Sequence, residues 1–177
     1  MPALADGDFV LTEASAILKY LADIGASPLY PTDTRKRAQI NQRMDWFNTG
    51  FHHAFCYGVV YTQAFPQYAY PHAPTQADLV RRAREHSTKW LDVLDTHYLA
   101  DQRFVCGDQM TIADLLGVAY ITIGDWVGFD FRPWPNISRW ISAMRARPSW
   151  EATQGPWNGL VAYLQSMATQ PQLAKSA

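Results

Sequence analysis

The chain has 177 residues and a formal net charge of −1, with 15 Lys and Arg against 16 Asp and Glu, so it carries no electrostatic footprint for nucleic acid or an anionic membrane. Apolar residues at 48% are ordinary for a globular chain, 14% aromatic with seven Trp is rich, and the length suits one domain, or one with a fragment of another. Cys56 and Cys106 fit reduced thiols in a cytosolic setting, with a pairing left open, and neither a secretory leader nor an apolar run of membrane-spanning length is read. The expectation is a soluble, cytoplasmic protein.

In chain order, PALADGDFVLT (2–12) predicts a β-hairpin around Asp6-Gly7, a pair suited to a type I′ turn whose two central residues need positive φ. EASAILKYLADIG then predicts a helix with Ala16, Ile17, Leu21 and Ile24 on its apolar face, broadened by Leu18 and Tyr20 and stopped by Gly25. One hairpin with one helix is marginal alone, so its apolar strand positions call for more sheet beside them. The Pro-punctuated ASPLYPTD reads as a connector. It divides the chain into a partial domain at 1–25 and an all-helical domain at 34–177.

From about Thr34 a long helix is expected, with Ile40, Met44, Phe47, Phe51, Phe55 and Val59 as its buried stripe. Gly50 and Gly58 mark a bend or a close approach along it. Ala64–Pro74 reads as a loop ending at Thr75, an N-cap answered by Asp78, and Leu79, Ala83, Trp90, Leu94 and Tyr98 form the next inner stripe. Asp92 and Asp95 flank that stripe as solvated residues, with acid–base work as the alternative. The basic clusters 35–37 and 81–84 read as solvated helix faces.

Gly107–Gly128, GDQMTIADLLGVAYITIGDWVG, is apolar almost all round and predicts the central helix of a bundle. Thr111 and Asp114 form a capping box at its start, with Met110 and Leu115 at staple positions. A catalytic carboxylate is the alternative for Asp114, but the cap already accounts for it. Pro135 opens a further helix to Arg147, short helical pieces follow, and TQPQLAKSA reads as a frayed tail. The fold class is mainly α: about five or six helices behind a small β-hairpin and helix.

The ordered combination of PALADGDFVLTEASAILKYLA, a Pro-containing linker and GDQMTIAD opening a buried helix resembles the glutathione transferases, in their theta-like, delta-like or bacterial forms. The resemblance covers essentially the whole chain. It implies a truncated thioredoxin-like domain before the family's helical C-terminal domain, and glutathione as co-substrate with no metal or other cofactor. Pro2 matches the family's cis-proline, beside which Met1 stands at the docking position. Glu13, Ala14 and Ser15 match the E-S-x-A-I motif at a helix N-terminus, with Ala14 in place of its Ser. There the γ-glutamyl carboxylate of glutathione takes helix N–H groups and Glu13 meets the ammonium. Thr111 and Asp114 match the structural capping box.

The segment holding the family's catalytic Ser, Cys or Tyr is expected upstream of Met1, so no catalytic residue is assigned and very low conjugating activity is expected of these 177 residues. Ser15, Tyr20 and Cys106 are read as structural rather than as substitutes. Asn48, Phe51, His52, Phe55 and Trp126 are candidates for an aromatic pocket taking an apolar electrophile, with Phe51 and Phe55 as plain core in the alternative. His52 and His53 diverge by about 100° on a helix and lack a third ligand, which argues against a metal. The resemblance also implies a homodimer. Two classes stay open: a transferase conjugating the glutathione thiol to an apolar electrophile in its complete form, or an inactive remnant that binds apolar ligands or a partner.

Overall fold

The front of the molecule is a two-stranded antiparallel hairpin, β1 (Ala3–Asp6) and β2 (Phe9–Thr12), in register from Ala3 opposite Thr12 to Asp6 opposite Phe9. The structure is a computed structural model describing residues 2–169. That register moves the turn one residue from the expected pair, to Gly7-Asp8. Gly7 alone is left-handed, at φ 61°, while Asp8 is not. Glycine at the first central position is the pattern of a type II′ turn, which demands positive φ only there. Tyr20 ties the next helix to the hairpin, donating its phenolic proton to Asp6 at 2.6 Å and lying 5.4 Å from the Phe9 ring.

Helix α1 spans Ala14–Ile24. Its packed face differs from the expected one. Ala14, Leu18 and Ala22, four residues apart, meet the core, whereas Leu21 and Ile24 stay exposed. The small alanines allow close approach, and α1 packs against α5 (Ile112–Thr122). After the connector, Asp33 caps α2 (Thr34–Trp46), accepting from the Lys36 N–H at 2.9 Å.

Helix α2 continues as a π-helix over Phe47–Tyr61 and closes in a single turn, α3 (Thr62–Ala64). Its predicted stripe is buried throughout, from Ile40 to Val59. Gly50 is a close approach: a Cβ there would stand 1.8 Å from the Trp90 ring. Gly117 does the same on α5, where a Cβ would fall 2.4 Å from the Phe47 ring. Hydrogen there lets aromatic rings pack where a methyl would collide.

Helix α4 runs from Ala73 to Val93, with a π-helical extension over Leu94–Tyr98. Its N-cap is His72, not Thr75, because Pro74 is tolerated in a first turn whose N–H groups have no intrahelical acceptor. Ser87, Leu91, Leu94, Asp95 and Tyr98 are its buried positions, while Leu79 is exposed. Asp95 also departs from expectation. It is buried and accepts from the Ile137 N–H at 2.9 Å, capping α6 (Pro135–Arg145) from a neighbouring element. Asp92 does remain exposed, accepting from the Trp134 indole at 2.8 Å. A single helix, α7 (Pro148–Thr169), replaces the expected short pieces, and the tail from residue 170 lies outside the described residues.

The central helix α5 touches α1, α2, the π-helical segment and α6. Its apolar side chains are buried except at Ala119, Leu115 and Tyr120. The mainly α architecture behind a small hairpin is therefore as expected. No helix is long and apolar enough to cross a membrane among the described residues.

Candidate functional site

Helix α1 packs against α5, the helix that carries Tyr120. Glu13, the N-cap of α1, has φ 70° and ψ 117°, a left-handed backbone that non-glycine residues rarely adopt. Its carbonyl accepts from the Ile17 N–H at 2.9 Å and starts the helix, while its side chain makes no capping bond and stays exposed. The first-turn N–H groups of Ala14 and Ser15 have no acceptor within the helix, so they can take an external anion. Burial, then Cys56 and Glu13, raise the pKa of Tyr120 above its ordinary value.

Tyr120 organises the polar part of the site. Its hydroxyl donates to Asn48 Oδ1 at 2.8 Å, and its ring stacks on His52 with centroids 4.5 Å apart and planes 18° from parallel. Burial, with His53 beside it, lowers the pKa of His52, so this imidazole is neutral at pH 7. Beyond His52 the aromatic surface continues through Tyr61, 6.1 Å away, which stacks on Trp126 and Tyr68 at 6.3 and 5.9 Å. Phe65 meets Trp126 edge-on at 5.7 Å. Burial pushes the Tyr61 phenol up to about 12, so it too is uncharged.

The structure separates the five pocket candidates. Asn48 and His52 stand together at Tyr120, and Trp126 lies along the same aromatic surface. Phe51 and Phe55 follow the core alternative: both are fully enclosed, Phe51 stacked on Trp46 and Phe55 packed edge-on to Phe129 and tilted to Phe131. Pro2 is exposed at the foot of β1, and its bond to Met1 involves a residue outside the described ones. Tyr120 and Tyr61 were missed by sequence reasoning. Tyr120 sat within a run of apolar residues, where its hydroxyl's need for a partner was the available signal.

Three other nucleophiles or acids are occupied elsewhere. Tyr20 is bound to Asp6, which raises its pKa. Cys56 is fully buried and its thiol is pushed up, and Cys106 is pushed up to about 11 by burial. Both cysteines are free thiols.

The capping box at α5 is present, and Asp114 does more than cap. One oxygen accepts from the Thr111 N–H at 2.8 Å and the Thr111 hydroxyl at 3.1 Å. The other accepts from the Val105 N–H at 2.9 Å and the Trp140 indole at 3.0 Å. Burial raises its pKa against the pull of these four donors. This carboxylate joins the 105 loop, α5 and α6, and it lies within the fold rather than at the Tyr120 face.

A family model described as glutathione S-transferase, C-terminal domain, matches residues 42–148. The chain is 34% identical over 155 residues to glutathione S-transferase D7 of Drosophila melanogaster, covering 85% of this chain and 64% of that protein. It thus spans just under two thirds of that relative's length. Among solved structures, a Nilaparvata lugens delta-class glutathione transferase superposes with a TM-score of 0.79 at 31% identity, covering 94% of this chain and 75% of that one. The human theta-class glutathione transferase, in complex with the glutathione conjugate of 1-menaphthyl sulfate, gives 0.77 at 27% identity, covering 95% and 69%. This chain belongs to the glutathione S-transferase family.

Proposed function

We propose that these residues hold glutathione at the N-terminus of α1, as part of a transferase that joins its thiol to an apolar electrophile lying on the aromatic surface. The observation that carries this reading is the packing of α1, whose N-cap is Glu13, against α5, on which Tyr120 meets His52 and Asn48. In the reaction the glutathione thiol gives up its proton, sulfur bonds to the electrophilic carbon, and the leaving group departs with its electron pair. The γ-glutamyl carboxylate takes the Ala14 and Ser15 N–H groups and the helix dipole, and Glu13 accepts from the ammonium. Pro2 would align the cysteinyl backbone. Neutral Tyr61, His52 and Trp126 present ring faces rather than charges, which suits an apolar acceptor.

The same reading divides the chain into a glutathione-binding part at 1–25 and a helical part at 34–177. It places the protein in the cytoplasm, as a homodimer with a detoxifying role. Thiolate activation is not assigned to Ser15, Tyr20 or Cys106. The bond from Tyr20 to Asp6 and the high pKa of Cys106 both argue against them.

Calorimetric titration with glutathione tests the reading. Glu13→Ala is expected to weaken binding roughly ten- to 150-fold, since a charge-assisted hydrogen bond contributes about 1.5–3 kcal/mol. Ser15→Ala and Cys106→Ser should leave any measured conjugation turnover unchanged. Unaltered glutathione affinity in Glu13→Ala would overturn the assignment.

A further inference from the structure

The amide of Asn48 has one end in use and one end free. Its Oδ1 accepts the phenolic proton of Tyr120 at 2.8 Å, a bond that joins the π-helical segment to α5. Tyr120 has a single proton to give, and its raised pKa keeps that proton in place at pH 7. The bond therefore fixes which way the amide points, and the two N–H donors of Nδ2 are left over. Among the described residues Nδ2 has no acceptor, and it is open to solvent rather than enclosed. His52 follows one turn along the same helix and stacks on the Tyr120 ring, with Tyr57 and Tyr61 edge-on to it at 5.2 and 6.1 Å. The free donors thus stand at the margin of uncharged rings, where a hydrogen bond is stronger than in open water.

We propose that Asn48 sets the class of acceptor, donating from Nδ2 to an oxygen conjugated with the electrophilic carbon and so favouring addition to an enone or enal over displacement of a halide. The proposal rests on the transferase reading above. In the addition, the glutathione thiol loses its proton to solvent and the sulfur electron pair forms the bond to the β-carbon. The carbon–carbon double-bond pair shifts toward the carbonyl, whose oxygen becomes an enolate and takes the Asn48 N–H. The α-carbon then takes a proton from water and the carbonyl is restored, with no leaving group. Displacement at a saturated carbon instead puts its charge on a halide that departs, so a donor held in one place stabilises it less. Tyr120 is a positioning residue here, since its hydroxyl holds the amide and the amide meets the oxygen.

Two conjugates that differ at one position supply the test. S-(3-oxobutyl)glutathione is the adduct of an enone, and S-butylglutathione has a methylene in place of its carbonyl. Their affinities are measured by calorimetry in the wild type, Asn48→Asp, Asn48→Ala and Tyr120→Phe, and the ratio of ketone to alkyl affinity is compared. Asn48→Asp keeps the volume and an acceptor for Tyr120 but has no N–H to donate, so the ratio should fall about three- to tenfold. Asn48→Ala should lower it by a similar factor, and keeps the test available if the aspartate variant does not fold. Tyr120→Phe should lower it by less, because the amide remains but turns freely. A role for Tyr120 in packing alone would move both affinities together and leave the ratio at its wild-type value. With S-butylglutathione bound, a ratio unchanged in the Asn48 variants or in Tyr120→Phe overturns the proposal and leaves the transferase reading standing. Failure of S-butylglutathione to bind the wild type overturns both.

Discussion

Asp114 shows how a polar residue can hold a core together. It is fully buried and serves four donors from three segments. Asp114→Ala orphans the N–H groups of Val105 and Thr111 and the indole of Trp140. A loss of about 2–4 kcal/mol is expected in urea unfolding. Thr111→Ala removes only the reciprocal half of the cap and should cost about 1–2 kcal/mol. Unchanged midpoints would contradict both.

Glu13 combines strain with a proposed contact. At φ 70° a glutamate costs about 1–3 kcal/mol that glycine would not. Glu13→Gly should therefore raise the unfolding midpoint while weakening glutathione binding. A fall in both would show that the backbone is not strained. His52 has a depressed pKa in the folded state, so the unfolded chain takes up its proton first on acidification. Its contribution to stability is present above the unfolded value near 6.5 and is lost as pH falls through the folded value. Denaturation midpoints at pH 7.5 and 5.5 should differ more in the wild type than in His52→Gln.

At the scale of elements, the long helix and α4 are locked by Trp90 against Gly50. Gly50→Ala puts a methyl where the ring lies, and a cost of about 1–3 kcal/mol is expected. Trp90→Leu should absorb that methyl, so the double variant should lose less than the two single losses combined. Additive losses would place the clash elsewhere. The stripe from Ile40 to Val59 and the capping box were legible because each rests on local spacing and local hydrogen bonding. The α1 face was not, since apolar periodicity favoured Leu21 and Ile24 while packing on α5 selected the smaller Ala14 and Ala22. Asp95 was missed for a similar reason: its partner lies 42 residues away, and no local pattern announces it. Within the site, Glu13 was visible as a motif residue, whereas Tyr120 and Tyr61 depend on which helix faces meet.

Across the whole molecule, one patch of exposed apolar side chains lies at the front, where Phe9, Val10, Leu21 and Ile24 are 46%, 63%, 44% and 60% exposed. A two-fold partner covering this surface fits the proposed homodimer. Light scattering after size exclusion should give twice the 20.1 kDa chain mass, and a clean monomer at tens of micromolar would contradict it. The central claim is that the glutathione end and the apolar end of one ligand meet at Tyr120. Its most direct test compares the affinities of glutathione and S-hexylglutathione, by calorimetry, in wild type, Glu13→Ala and Trp126→Ala. Each methylene buried on the aromatic surface adds up to about 0.8 kcal/mol, so S-hexylglutathione should bind at least tenfold more tightly. Glu13→Ala should weaken both ligands alike, and Trp126→Ala should reduce only the hexyl advantage. An S-hexyl chain that adds no affinity, or an advantage untouched by Trp126→Ala, would contradict the account.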